Sequence, residues 1–253
     1  MKIVIFSGTT EGRTLSSRLA RKGAEIVVCV ASDYGAEEQG VCPGVVTLTG
    51  PLSPEKKKAI LTGAALCVDA THPYATHVTA SVRASCEEAG IPYLRLLRPS
   101  SDSDGCRCFD GASEAAEWLS EREGNILLTT GAKELAAFSA LDPGRLYPRV
   151  LPNRRSLAAC EEMGIPHRNI IAMQGPFTKE MNAATIRQFG IRYLVTKDGG
   201  EPGGFPEKAE AARETGTELI LLRRPEETGL SFDTVYNRCI TLLQSGDVNQ
   251  SRF

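Results

Sequence analysis

The chain has 253 residues, of which 42% are hydrophobic, 24% charged and 6% aromatic. This is an ordinary globular profile, long enough for one large domain or two small ones. Its 29 basic and 31 acidic side chains give a formal net charge of −2, without the basic excess or dense Lys/Arg run of a nucleic-acid binder, and no apolar run approaches the ~20 residues that span a bilayer.

Neither nucleic acid nor membrane is therefore an expected partner. The eight cysteines are scattered, with Cys106 and Cys108 the close pair, and there are three histidines. That pattern lacks the paired Cys-x-x-Cys framework of a zinc site, so no metal is expected and the thiols are read as reduced, in a cytoplasm. Met1-Lys2-Ile3-Val4-Ile5-Phe6 opens like a secretion signal, but the run is too short and breaks at a glycine turn. It is read as the first strand.

Ser7-Gly8-Thr9-Thr10-Glu11-Gly12 follows that strand, and Leu15 and Leu19 then mark one face of a helix ending at Gly23. Glu25–Val30 is a second strand, β-branched and expected to be buried on both faces. The spacing Gly8-x-x-x-Gly12 matches the dinucleotide fingerprint Gly-x-Gly-x-x-Gly only loosely, and the Gly-Lys-Ser/Thr ending of a P-loop is missing. A phosphate site and a tight turn both satisfy it. In the first case the glycines admit phosphate to the backbone, helix N–H groups point at it, and Thr9 and Thr10 add hydroxyls. Ser32-Asp33-Tyr34-Gly35 is read as the loop after strand two, where a ribose-reading carboxylate sits in dinucleotide folds.

Val45–Leu48 is a third strand, a helix runs near Pro54–Ile60, and Ala64–Val68 is a fourth strand closing at Asp69. Asp69-Ala70-Thr71-His72-Pro73-Tyr74-Ala75 comes next, ahead of a helix whose apolar positions are Ala75, Val78, Val82, Cys86 and Ala89. Thr71 as cap and Pro73 in the first turn would suit that helix. A capping turn is the plain alternative; His72 and Tyr74 are larger and more polar than a cap needs, and His77 lies close by. Gly90–Leu96 is a fifth strand, and the Ser/Asp/Gly-rich segment from Ser100 to Gly105 marks a domain boundary.

The second half repeats the alternation. Helices are expected around Ala112–Leu119, Leu135 and Phe138, Leu157, Met181 and Ala184, Ala209 and Ala212, and Val235 to Leu243. Strands are expected at Asn125–Leu128, Arg145–Val150, Ile170–Met173, Arg192–Thr196 and Leu219–Leu222. A glycine-rich loop runs from Lys197 to Gly204. The fold class is α/β: two Rossmann-like three-layer domains with mainly parallel sheets, residues 1–98 and 99–253, and a ligand cleft between them. One continuous sheet is the alternative.

The strand ends carry polar clusters: Thr9/Thr10, Ser32/Asp33, Asp69/Thr71/His72, Arg95/Arg98, Thr129/Thr130/Lys133, Arg149, Gln174, Thr196/Lys197/Asp198 and Arg223/Arg224. Parallel strands bring these ends to one edge, which suits an anionic ligand. No Gly-x-Ser-x-Gly or His-Glu-x-x-His is present, so a bound cofactor is the more natural carrier of chemistry.

Phe6–Arg13, the Asp69–Ala75 string, Leu128-Thr129-Thr130-Gly131-Ala132-Lys133-Glu134-Leu135, Arg149-Val150-Leu151-Pro152, Gln174–Phe177, Leu194–Gly200 and Arg224-Pro225 together resemble the precorrin-6A reductases. The cobalt-precorrin-6A reductases of the anaerobic cobalamin pathway are the nearest in pattern. The likeness runs from residue 1 to about 240, and Asp-Ala-Thr-His-Pro-Tyr-Ala is its most specific piece. It implies hydride transfer from NADH or NADPH to a double bond of a contracted tetrapyrrole rich in acetate and propionate groups, with any cobalt belonging to the substrate. Under that resemblance His72 and Tyr74 face the macrocycle, His72 as hydrogen-bond or proton donor. Gly8, Thr9, Thr10, Gly12, Arg13, Ser32 and Asp33 bind cofactor. Thr71, Thr130, Lys133, Arg149, Lys197 and Arg224 bind substrate. Asp33 has no neighbouring arginine, which favours NADH. Many members read Gly-Gly where this chain has Ser7-Gly8, so the Ser7 backbone must avoid positive φ. A metal-free precorrin-6A reductase using NADPH and a non-catalytic nucleotide or tetrapyrrole carrier are the alternatives. A monomer is expected, with a weak homodimer as the alternative.

Overall fold

The computed structural model describes residues 1–98, 104–200 and 203–250. Residues 100–103 of the expected boundary segment and 201–202 of the expected glycine loop lie outside the described residues. The chain divides into two units, Met1–Pro99 with Pro225–Phe253, and Ser100–Arg224. Each unit is built on its own sheet, so the single-sheet alternative does not hold.

The first unit runs β1 (Lys2–Phe6), α1 (Thr10–Ala20), β2 (Glu25–Val30), α2 (Asp33–Gln39), β3 (Val45–Thr49), α3 (Pro54–Leu61), β4 (Leu66–Asp69), α4 (Thr76–Ala89) and β5 (Tyr93–Arg95). Its strands are all parallel, in the order β3-β2-β1-β4-β5. Alternate residues of β1 explain the three layers. Ile3 and Ile5 pack with Leu15 and Leu19 of α1, while Val4 and Phe6 pack with Leu61, Val82 and Cys86 of α3 and α4. A strand buried on both faces carries no polar alternation, which is why β1 reads as a continuous apolar run. From β1 the chain builds outward to β3, then returns to the other side at β4. The C-terminal ends of β1 and β4 therefore flank the switch point where open α/β sheets take ligands.

The second unit runs β6 (Arg107–Phe109), α5 (Ala112–Ser120), β7 (Asn125–Leu128), a 3-10 turn (Ala132–Phe138), β8 (Leu146–Val150), α6 (Arg154–Glu162), β9 (Ile171–Ala172), α7 (Lys179–Gln188), β10 (Ile191–Lys197), α8 (Phe205–Thr215) and β11 (Glu218–Leu222). Its order, β6-β11-β10-β7-β8-β9, is again parallel throughout. Ala115 and Leu119 of α5, Leu135 and Phe138 of the 3-10 turn and Cys160 of α6 cover one face; Ala183, Ile186, Ala211 and Ala212 of α7 and α8 cover the other. Here the switch point lies between β7 and β10.

Several elements differ from expectation. The segment after Pro225 does not stay with the second unit. Its helix α9 (Phe232–Gln250) returns Val235 and Cys239, both 0% exposed, to the core of Ile3, Ile26 and Leu66. The first sheet needs that cover because α1 alone leaves the β4 side of its face open. Ser32–Gly35 is the start of α2 rather than a loop, since Ser32 Oγ accepts the Gly35 N–H at 3.2 Å. The expected helix at Leu135 and Phe138 is a 3-10 turn, and β6 is a short edge strand with no sequence periodicity. Among the described residues, no helix is long and apolar enough to cross a membrane.

Val235→Asp is expected to destabilise the protein by about 3 kcal/mol or more, because an unpaired charge enters the core. Denaturant unfolding checks it; unchanged stability would mean that α9 does not complete the first unit.

Candidate active site

The ligand edge of the first unit is organised by a buried charge. Asp69, at the end of β4, is 0% exposed. Its Oδ1 accepts the Thr71 N–H at 2.9 Å, the Thr71 hydroxyl at 2.7 Å and Arg95 Nη1 at 3.1 Å, while Oδ2 accepts the Tyr93 hydroxyl at 3.0 Å. Arg95, 3% exposed, also donates to the Thr71 carbonyl at 2.9 Å and, through Nε and Nη2, to Glu227 at 3.1 and 2.8 Å. Burial first, then the Asp69 charge and the hydrogen bond to it, hold the Tyr93 phenol well above its usual range. Such a carboxylate is satisfied by charge-assisted bonds on both oxygens.

This arrangement fixes the turn that carries His72 and Tyr74, both half-buried. The Ala75 N–H donates to the His72 carbonyl at 2.8 Å, closing the turn. The Tyr74 N–H donates to His72 Nδ1 at 3.5 Å, and the two rings lie 5.5 Å apart. Contrary to expectation, Thr71 does not cap a helix, because α4 begins only at Thr76, and Ala75 before it makes no side-chain cap. Thr71 is 7% exposed; its hydroxyl donates to Asp69 Oδ1 and lies 3.2 Å from the Thr79 hydroxyl.

Across the switch point, Thr9 caps α1. Its Oγ1 accepts the Gly12 N–H at 3.2 Å and donates to the Ala70 carbonyl at 2.8 Å, tying the two turns together. Gly8 has φ +145, and a Cβ there would meet no atom within 4 Å, so its backbone borders open space. Gly12 is needed for a different reason: a Cβ would run into the Ser7 side chain and come within 3.0 Å of Ala70 Cβ. Ser7 keeps a negative φ, as its Cβ requires. Thr10 is exposed at the first position of α1, and Glu11 pairs with the largely buried Arg98 at 2.7 Å. Arg13 donates to the Glu38 carbonyl at 2.8 Å, which ties it to the end of α2. Asp33 stands exposed in the first turn of α2, beside the Ser32 cap.

In the second unit the Thr129 hydroxyl donates to Val195 O at 2.9 Å, joining β7 to β10. Thr130 is 7% exposed and its hydroxyl has no hydrogen-bond partner; Gly131 beside it has φ +82 with open space around it. Lys133 is exposed. The strand-end cations are not bare charges. Lys197 donates to Glu134 at 2.8 Å, Arg224 Nε lies 3.6 Å from buried Asp198, and Arg223 pairs with Asp110 at 2.9 Å. Arg149 differs from these. It is 6% exposed, donates to Asn182 Oδ1 at 2.8 Å and lies over the Phe177 ring at 3.9 Å, and burial lowers its pKa to about 10. Sequence reasoning missed Tyr93 and Glu227, the outer members of the Asp69 cluster, and Asn182. None lies in a motif, and only the fold brings them to these partners.

These features define a doubly wound α/β protein with a glycine turn and a histidine turn on the two sides of its first switch point. The comparisons narrow the class. A family model described as precorrin-6x reductase CbiJ/CobK matches residues 2–241, and the chain belongs to that family. It is 34% identical to the cobalt-precorrin-6A reductase of Priestia megaterium over 99% of both chains. It is 31% identical to the precorrin-6A reductase of Mycobacterium tuberculosis strain H37Rv over 88% of this chain and 89% of that one. A solved CobK precorrin-6A reductase shares the fold, with a TM-score of 0.76 at 24% identity over 95% of this chain and 97% of that chain.

Arg95→Met would leave Asp69 buried without its cation, at an expected cost of about 3–5 kcal/mol. Chemical denaturation measures it; a loss below about 1 kcal/mol would show that the cluster does not hold this edge together.

Proposed function

We propose that this chain reduces cobalt-precorrin-6A to cobalt-precorrin-6B with hydride from a nicotinamide dinucleotide bound at the Gly8–Gly12 turn. The observation that carries this reading is the first switch point. An open glycine backbone and the capped N-terminus of α1 lie on one side of it, and the rigid His72 turn on the other. The nicotinamide, when bound, supplies the hydride. The residues present fit it: Gly8 leaves room for a diphosphate beside the N-terminus of α1, whose dipole favours an anion, and Thr10 adds a hydroxyl. Thr9 and Gly12 act by building the turn, and Arg13 contributes through its tie to α2.

Reduction of a C=C bond needs a hydride on one carbon and a proton on its neighbour. His72, when its ring is protonated, is the proposed proton donor, or else it gives a hydrogen bond that only orients the macrocycle, and Tyr74 orients the ring beside it. Thr71, Thr130, Lys133, Arg149, Lys197 and Arg224 are the proposed substrate-binding groups, the four cations pairing with its carboxylates. The buried, unpartnered Thr130 hydroxyl supports this, because such a group is normally satisfied. Cobalt is part of the substrate and is not bound by the protein. The proposed acting form is a monomer.

In the first turn of α2, just beyond β2, Asp33 accepts bonds from the adenosine ribose hydroxyls and repels a 2′-phosphate, so NADH is preferred over NADPH. The Mycobacterium relative's name keeps a cobalt-free substrate as the second reading. Comparing kcat/KM for both nicotinamides on cobalt-containing and cobalt-free substrate tests both points. NADH and the cobalt form are expected to be favoured; a strong NADPH preference would overturn the Asp33 argument. His72→Ala is expected to slow single-turnover reduction by about 100-fold if the ring donates the proton. An unchanged rate across pH would remove that role.

A further inference from the structure

Arg149 stands at the C-terminal end of β8, and the segment from β9 into α7 supplies its seat. Its Nη1 donates to Asn182 Oδ1 at 2.8 Å, and its guanidinium carbon lies 3.9 Å from the centre of the Phe177 ring. The two seating residues also hold each other. Asn182 Nδ2 donates to the Thr178 carbonyl at 2.9 Å and to the Phe177 carbonyl at 3.4 Å, in the first turn of α7. Gly175 lies against the ring, since a Cβ there would come 3.0 Å from Phe177 Cδ2 and Cε2. Asn182 is 0% exposed, so its amide is committed to these partners. They also fix which way it points: the oxygen meets the guanidinium, and the nitrogen meets the two carbonyls.

Every group in this seat is neutral. Arg95, Arg98, Lys197, Arg223 and Arg224 each lie against a carboxylate. Arg149, 6% exposed, has no carboxylate partner among the described residues. An interior cation without a counter-charge is costly. Aspartate is nearly the same size as asparagine and would accept the same guanidinium bond while removing much of that cost. It would also cancel the charge that an incoming carboxylate needs.

We propose that Asn182 is a positioning residue whose neutrality sets specificity: with Phe177 behind the guanidinium, it aims Arg149 and leaves the positive charge for a carboxylate side chain of the tetrapyrrole. The proposal rests on the reductase reading above for the identity of that ligand. The amide oxygen gives direction without a full negative charge, and the ring face steadies the cation without offering it an anion. The remaining donors of the fork then meet the substrate carboxylate by charge-assisted bonds. This gives the Gln174–Phe177 segment a role in recognition.

The test titrates cobalt-precorrin-6A into the full-length protein without nicotinamide, following the tetrapyrrole absorbance, with kcat, KM, Tm and NADH affinity measured alongside. It compares wild type, Asn182→Asp, Arg149→Met, the double variant and Phe177→Leu. Asn182→Asp is expected to weaken tetrapyrrole binding and raise KM by about tenfold or more, with kcat within about threefold and NADH affinity unchanged. In the Arg149→Met background the same substitution is expected to change binding by less than about twofold, because it acts through the guanidinium. A purely structural Asn182 predicts a lower Tm with tetrapyrrole binding unchanged in Asn182→Asp, and that result overturns the proposal. An equal loss of binding in both backgrounds also overturns it. If Asn182→Asp does not fold, Phe177→Leu decides, since it removes the ring and keeps the carbonyl that Asn182 holds. It is expected to weaken tetrapyrrole binding by about threefold; equal binding overturns the proposal. Binding that is lost in Asn182→Asp, with no turnover in wild type, would leave the seat standing and remove the reductase reading. Normal turnover with unchanged KM in Asn182→Asp would do the opposite.

Discussion

The buried charge of Asp69 is the constraint on which the first unit's ligand edge depends. A carboxylate at the end of a central parallel strand has no water to solvate it. It must be satisfied by groups the fold brings to it. Arg95 arrives from the neighbouring strand, Tyr93 from two residues before it, and Thr71 from the turn that follows. Arg95 is held in turn by Glu227, 132 positions later in the chain. The segment that carries Glu227 is thus fastened to the first sheet, and α9 follows it there. One electrostatic cluster accounts both for the rigidity of the His72 turn and for the return of the C-terminal helix.

The two units apply the same geometry with different chemistry. At the first switch point the groups are a glycine turn, hydroxyls, a helix N-terminus and an imidazole. At the second they are a free hydroxyl and several cations. Most of those cations already have partners: Lys197 has Glu134 and Arg224 has Asp198. A partnered cation still attracts an anion, but its field is reduced and its donors are partly occupied. Arg149, held by Asn182 and the Phe177 ring, has no carboxylate partner among the described residues. The polar strand ends are therefore not equivalent, and burial with pairing separates the structural members from those with capacity to spare.

Much of the fold was legible in the sequence. Each central strand is a short apolar run ending in glycine or a polar cluster, and each long helix repeats its apolar residues at steps of three and four. α2 was not legible: it spans seven residues and buries only Gln39. β6 spans three residues and owes its place to pairing with β11. The destination of α9 was hidden because Val235 and Cys239 show that a face is buried but not against which sheet. At the site, His72 stood out as a large polar group at a strand end. Asp69 and Arg95 stood out equally, although the structure uses them internally, because sequence position does not distinguish a cation held between two carboxylates from a free one.

The glycine turn and the histidine turn are proposed to serve one hydride transfer. The most direct measurement is a single turnover on cobalt-precorrin-6A with nicotinamide deuterated at the transferable position, followed by mass analysis of the tetrapyrrole. One deuterium and one solvent-derived hydrogen are expected on each product molecule, with one nicotinamide oxidised. A tetrapyrrole recovered unreduced, or reduced without the label, would contradict it.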